Sequence, residues 1–263
     1  PLPPLPQDLD GLALLDEPDS TTPDIKLNIK NMKTKVVPGI DIITKSHSES
    51  LPRCWLEHLA YLINWCLKLG YFPDIWKVGR FITIPKAWVN PMNITAHGPL
   101  TITSTIGKVL EQVILSRLST RLDGLIPQYQ YGYQKGSSTL HPLLGIMAAL
   151  LKPRGSSYWC AAVMLDFQKA FDKVWYPRLL SKLRPTGGTL HTILTSYLTS
   201  RTIEVPFQEY MSIPKQVTAG VPQGSTLSPL LFAVFLADLP QVRVLLPEIH
   251  FPPAQCWRTV ITF

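Results

Sequence analysis

The sequence predicts an α/β domain in which helices back a sheet, and three observations carry that prediction. Segments 51–69 and 106–118 repeat apolar residues at helical spacing, the pattern of helices with one buried face. Four short runs, 79–84, 161–165, 201–205 and 215–218, are apolar or alternating and rich in β-branched residues, as strands are. Of 263 residues, 46% are hydrophobic, which is enough to bury a core and argues against disorder throughout.

Taken in order, the first stretch, PLPPLPQDLDGLALLDEPDSTTPD, is rich in proline and acid and sustains neither a helix nor a sheet ladder, so residues 1–24 are expected to be a linker. Apolar spacing from Ile25 to Met32 permits a short helix, ending in the turn Pro38-Gly39. Leu56, Leu59, Ala60, Leu62, Ile63, Cys66 and Leu67 form the apolar side of the next helix, which Gly70 and Pro73 stop. Residues 25–78 thus read as a helical segment, followed by a short strand at 79–84 that Pro85 ends.

In the helix after it, Ile106, Val109, Leu110, Val113, Ile114 and Leu118 line one side, while Lys108, Glu111, Arg117 and Arg121 are expected mostly elsewhere, on a solvated face. Ala161 to Leu165 is apolar without alternation, which suits a strand covered on both faces, and it ends abruptly at Asp166. Arg201 to Val205 and Lys215 to Thr218 read as paired strands around a turn near Ser212 and Pro214. Beyond Gly224, Ser228 is expected as an N-cap and Pro229 at the first helical position of an apolar helix, Leu230 to Leu239.

The net charge of +7 and pI near 9.2 favour a polyanionic partner, although a merely basic soluble surface accounts for them equally well. Cys54, Cys66, Cys160 and Cys256 form neither a C-x-x-C pair nor a compact disulfide framework, so an intracellular setting, nucleus or cytoplasm, is expected. No apolar run reaches the length of a membrane helix. The start at Pro1, without the layout of a signal peptide, reads as a piece of a longer product.

The stretch Leu165-Asp166-Phe167-Gln168-Lys169-Ala170-Phe171-Asp172 resembles the first catalytic motif of reverse transcriptases of non-LTR (LINE-type, jockey-like) retrotransposons, a hydrophobic strand ending in L-D-F-x-K-A-F-D. Ala219 to Phe232, AGVPQGSTLSPLLF, resembles that family's A-G-V-P-Q-G-S-x-L-S-P-x-L-F motif. Thr83-Ile84-Pro85-Lys86 is similar to its finger strand, Ser104 to Glu111 to the helix that follows, and Gln130 to Thr139 to Q-F-G-F-R-K-G-R-S-T. Pro38 to Asp41 and Gly70 to Lys77 fit the segments before the fingers, so the resemblance covers roughly residues 25 to 240.

The resemblance implies a right-hand polymerase: fingers and a partial palm over 79–240, an antiparallel palm sheet backed by helices, and no thumb within this chain. It implies RNA-directed DNA synthesis, with an RNA template, a DNA primer and deoxynucleoside triphosphates as partners. Mg²⁺, with Mn²⁺ as the alternative, is the implied cofactor, held by Asp166 and the Phe167 carbonyl; Mg²⁺ binds one or two carboxylates plus substrate phosphates, and paired ions clamp attacking and leaving oxygens. Asp166 is the implied catalytic residue. Lys86, Phe171, Gln223 and Gly224 are implied nucleotide contacts, with Phe171 crowding the sugar 2′ position, and Lys135, Gly136 and Pro222 contact template and primer. Asp172 is given a structural role, because six residues along a helix turn its side chain off the face of Asp166.

Departures from the family pattern bear on activity. His97-Gly98-Pro99-Leu100-Thr101 stands where the family has Y-R-P-I-S, so a permanent forked cation is replaced by Gly98. Gln134 takes the place of another arginine, and Val89 to Asn93 replaces a more basic loop. After Leu236-Ala237-Asp238-Leu239-Pro240 a Y-A-D-D hairpin is expected, yet the divergent segment 241–263 contains no aspartate and only Glu248. Asp238 lies on the preceding helix and is not that second acid. The expectation is a reverse transcriptase domain inactive as this isolated chain; the alternatives are a non-catalytic nucleic-acid-binding remnant and an unstable fragment with an exposed strand edge.

Overall fold

The structure, a computed structural model, describes residues 17–33, 37–85, 90, 92–93, 96–151 and 166–239. The strand expected at 161–165, Lys86 and the segment 241–263 lie outside the described residues.

Helix α1 (Thr22–Asn31) begins earlier than its apolar pattern, because Thr21 and Asp24 form a reciprocal capping box and Pro23 sits in the first turn, where its missing N–H costs nothing. The expected linker therefore does not extend through residue 24. Residues 17–21 are tied down ahead of the helix: Ser20 exchanges hydrogen bonds with Asn64 at 2.8 and 3.0 Å, and Glu17 pairs with Arg117 at 3.3 Å and Arg121 at 2.6 Å. A short α2 (Lys45–Glu49) leads into α3 (Arg53–Lys68), which buries Leu56, Leu59, Ala60, Ile63, Cys66 and Leu67 as its periodicity requires. Leu62 stands off that face and is 44% exposed.

Strand β1 (Val78–Pro85) pairs antiparallel with β2 (His97–Ile102), running from Arg80 opposite Ile102 to Pro85 opposite His97. Helix α4 (Thr105–Arg121) packs against α1 and enters the apolar core. Lys108 and Glu111 are not on a solvated face: both are buried on α4, and the partners described below make that burial tolerable. Helices α5 (Leu140–Leu151), α6 (Tyr176–Leu183) and α7 (Gly188–Leu198) follow, then β3 (Arg201–Glu204).

The chain reverses earlier than Ser212 and Pro214. It forms a hairpin of β4 (Pro206–Phe207) and β5 (Tyr210–Met211) around Gln208, whose φ of 54° supplies the tight turn. Ser212 closes the base of that hairpin, donating its N–H to the Val205 carbonyl at 3.0 Å and accepting from the Val205 N–H at 2.9 Å. Strand β6 (Lys215–Val217) then pairs antiparallel with β3, as the sequence implies. The sheet order is β2-β1-β3-β6, with β1 and β3 parallel, so the described sheet is mixed and not wholly antiparallel.

Helix α8 (Ser228–Leu236) is capped by Leu227, and Ser228 is its first helical residue with Pro229 next. Ser228 is not the N-cap; the hydroxyl of Ser225 accepts the Leu227 N–H at 3.2 Å and satisfies one of the leading amides instead. One apolar core runs through the molecule from Ile25 and Ile29 of α1, through Val109 and Ile114 of α4 and Leu190 and Ile193 of α7, to Leu231 and Val234 of α8. Among the described residues no helix is long and apolar enough to cross a membrane.

Candidate active site

Two segments distant in sequence are locked together at the edge of the sheet. Gly220, at φ +89°, donates its N–H to the Val174 carbonyl at 2.9 Å, and a Cβ there would stand 2.7 Å from the Asp172 carbonyl oxygen. Val221 donates to the Phe171 carbonyl at 2.8 Å, and the buried Tyr176 hydroxyl donates to the Gly220 carbonyl at 2.9 Å. Burial raises the Tyr176 phenol to about 12, so it stays a proton donor. The Gln223 side-chain amide donates to Asp172 at 3.1 Å, while its backbone carbonyl accepts from the Thr101 N–H of β2 at 2.7 Å. Gly224, at φ +126°, lies so close to β2 that a Cβ would meet the Thr101 carbonyl oxygen at 2.5 Å. Only glycine combines that backbone with that approach. The loop 219–227 is thereby clamped between β2 and the segment that carries Asp166.

Asp166 and Phe167 line a cavity of about 490 Å³ with Lys173, Arg178, Lys182 and Asp238. Asp238 pairs with Lys182 and Arg178, and the hydrogen bond from Lys182, then that from Arg178, holds its carboxyl below the usual range. That carboxylate is already engaged by the two cations. Asp172 serves as the acceptor for Gln223, the structural role its spacing implies. Pro222 and Gln223 line a second cavity of about 180 Å³ with Asp172, Arg201, Thr101 and Phe81. Asp166 and Gln223 therefore line separate cavities, joined through the stretch Phe171 to Val174.

Phe171 stacks on Phe232 of α8 with ring centroids 4.6 Å apart, and Tyr133 meets both rings edge-on at 5.5 and 5.8 Å. Lys135 and Gly136 are exposed on the turn after Tyr133, away from the clamped loop's hydrogen bonds. Gly98 faces open space, the nearest atom to an added Cβ being the Ile84 carbonyl oxygen at 3.8 Å. Gln134 spends its side-chain amide on the carbonyls of Pro127 and Gln130.

Two acids that the sequence reading did not assign to the site support it from behind. Glu111, 1% exposed, accepts from the Ser225 hydroxyl at 2.8 Å and from the Thr226 N–H at 2.7 Å. Burial pushes its carboxyl up, opposed by the Ser225 hydrogen bond, by Arg201, by the Thr226 amide and by Lys108. Asp41 accepts from the Ser104 hydroxyl at 2.7 Å and the Thr105 N–H at 2.9 Å, anchoring the start of α4, and Gly39 beside it allows backbone contact with Thr103. A helical wheel would have found Glu111, which follows Gly107 by four residues and precedes Ile114 by three, on the buried side.

As for metal, the described residues contain no group of three or more His, Cys, Asp or Glu side chains able to surround an ion. No described residue forms an ion pair with Asp166, whose carboxylate opens on the larger cavity. That donor set fits one hard cation shared with substrate phosphates, and supplies no second protein carboxylate for a pair of ions.

Residues 86–243 match the family described as Reverse transcriptase (RNA-dependent DNA polymerase). The chain is 34% identical over 223 residues to the RNA-directed DNA polymerase from mobile element jockey of Drosophila melanogaster, covering 84% of this chain and 24% of that protein. It is 34% identical over 215 residues to the probable RNA-directed DNA polymerase from transposon BS of the same species, covering 81% and 24%. The jockey polymerase of Drosophila funebris is 31% identical over 223 residues, covering 84% and 24%. The chain thus spans about a quarter of the length of these relatives. A solved chain titled "Partial Cas6-RT-Cas1--Cas2 complex" overlaps at a TM-score of 0.43 and 22% identity, covering 82% of this chain and 32% of that one, too loosely to bear on function. With a family match over more than half of its length and the two motif segments hydrogen-bonded to one another, the chain belongs to the reverse transcriptase (RNA-dependent DNA polymerase) family, as a relative of the polymerases of non-LTR mobile elements such as jockey.

Proposed function

We propose that this chain is the template- and primer-holding part of an RNA-directed DNA polymerase, with residues 79–240 as fingers and partial palm and 25–78 as the segment before them. The observation that carries the reading is the lock between the Asp166-bearing segment and the Gln223–Gly224 loop, made by Gly220, Val221 and Gln223. Such a lock keeps an acidic turn and a backbone surface at fixed spacing, which a nucleotide-joining site requires.

In this reading Asp166 and the Phe167 carbonyl hold Mg²⁺ or Mn²⁺ together with the triphosphate; the family as a whole uses divalent metal ions. The ion, when bound, neutralises phosphate charge and lowers the pKa of the primer hydroxyl. Phe171, kept in place by Phe232 and Tyr133, bounds the sugar. Gln223 and Gly224 face the nascent base pair, Lys86 reaches the triphosphate, and Lys135, Gly136 and Pro222 meet the template and primer backbone. An RNA template, a DNA primer and deoxynucleoside triphosphates are the partners, and the setting is the nucleus or cytoplasm.

We further infer that the chain alone binds without extending. Gly98 offers no cation to a triphosphate, and residues 241–263 contain Glu248 as their one acid. Losing about 4 kcal/mol of transition-state stabilisation slows a step roughly a thousandfold. Binding and primer extension on an RNA template, measured on the purified chain with Mg²⁺, test both statements. Duplex binding without extension is expected. Extension abolished by Asp166→Ala would overturn the inactivity; failure to bind any RNA–DNA duplex would overturn the polymerase reading of this chain.

A further inference from the structure

We infer that Glu111 is the positioning residue of the Pro222–Gly224 loop, setting the backbone on which the template–primer end rests; this rests on the polymerase reading above. The loop ends in Ser225 and Thr226, and both donate to one carboxylate oxygen of Glu111, at 2.8 and 2.7 Å, across 114 and 115 residues of chain. The Ser225 hydroxyl also bonds the Tyr197 hydroxyl at 2.6 Å and accepts the Leu227 N–H at 3.2 Å. Hydrogen bonds from the α7 tyrosine, the loop and the head of α8 therefore converge, through one serine, on Glu111. Because the one Ser225 hydroxyl proton goes to Glu111, Ser225 accepts from the Tyr197 hydroxyl and the Leu227 N–H, and the direction of each hydrogen bond is set.

The carboxylate is itself held rigidly. It sits on α4 among buried groups, with Lys108 one turn earlier and Arg201 entering from β3. Asp41 pins the start of α4 through Ser104 and Thr105, and the Arg201 guanidinium lies over the Tyr197 ring, 4.8 Å from its centroid. On the flank facing β2 the loop is held through backbone, the Gln223 carbonyl accepting the Thr101 N–H. Glu111 thus joins the fingers-side helix to the loop at its α8 end. It touches no substrate and acts through Ser225 and Thr226.

The test pairs hydrogen exchange of residues 219–227 with binding of a labelled RNA–DNA duplex, in Glu111→Ala, Glu111→Gln and Gln223→Ala. Glu111→Ala is expected to speed exchange in that loop and weaken duplex binding about tenfold, the equivalent of about 1.4 kcal/mol. Glu111→Gln keeps an acceptor of the same shape but drops the charge beside Lys108 and Arg201, and is expected to restore both in part. Uniformly faster exchange over the whole chain, or a glutamine variant as weak as alanine, would overturn the inference. Should Glu111→Ala not melt cooperatively, Ser225→Ala replaces it: several-fold weaker binding supports the inference, and wild-type binding overturns it. Gln223→Ala separates the two layers of the argument. If it weakens binding while Glu111→Ala does not, only the positioning role falls; if neither variant weakens binding, the loop does not meet the duplex and both readings fall.

Discussion

Gly220 and Gly224 occupy positive-φ positions in which an added Cβ would press on a backbone carbonyl, at 2.7 and 2.5 Å, so neither strain can be relieved by a side-chain movement. Replacing Gly224 with alanine is expected to destabilise by about 1–3 kcal/mol and to free the Thr101 N–H to exchange. A denaturant melt with amide exchange checks it. Gly98→Arg is the contrasting case: with 3.8 Å to the nearest atom, the variant is expected to melt like the parent and to bind deoxynucleoside triphosphates more tightly. At Asp238 the prediction concerns pH. Lys182 and Arg178 depress its carboxyl below the ordinary 3.8, so its stabilising pairing is complete above that value and lost as pH falls through the lower folded value. The melting difference between the parent and Asp238→Asn should therefore be present at neutral pH and disappear in acid below 3.8; a difference independent of pH would contradict it.

Among elements, α4 does the most joining. Its apolar side enters the core, Glu111 reaches the loop, Asp41 anchors its start, and Arg117 and Arg121 near its end hold Glu17. The Glu17 side chain is only 4% exposed, so removing its charge leaves two arginines short of a partner in a poorly hydrated place. Glu17→Gln is expected to cost about 3 kcal/mol, at the lower end for a broken buried pair because Arg117 keeps the Pro18 carbonyl and the Ser20 hydroxyl. Chemical denaturation of the two forms measures this. A cost under a few tenths of a kcal/mol would mean that residues 17–21 behave as the linker their composition suggests.

At the scale of the whole molecule, the core extends from α1 to α8 and gives no place where one half could unfold without exposing the other. The net charge of +7 makes counterion release a large part of any nucleic-acid affinity. The logarithm of the duplex binding constant should fall linearly with the logarithm of salt concentration, by roughly 0.7–0.9 for each phosphate neutralised. A titration from low to moderate salt checks this, and a flat response would count against a nucleic-acid partner.

Much of the architecture was legible before any coordinates because it is local. The buried face of α3, the apolar side of α4 and the antiparallel partnership of β3 with β6 follow from residue periodicity and turn chemistry within a few residues, and the two motif segments could be recognised as contiguous strings. Tertiary structure alone decided the parallel pairing of β1 with β3, the burial of Lys108, the partners that Glu111 meets, the replacement of Ser228 by Ser225 at the head of α8, and the separation of Asp166 and Gln223 into different cavities. For the buried groups the physical reason is shared. A buried charge or an orphaned amide is tolerated only where a partner arrives from elsewhere in the chain, and for Glu111 those partners lie 114 and 115 residues away.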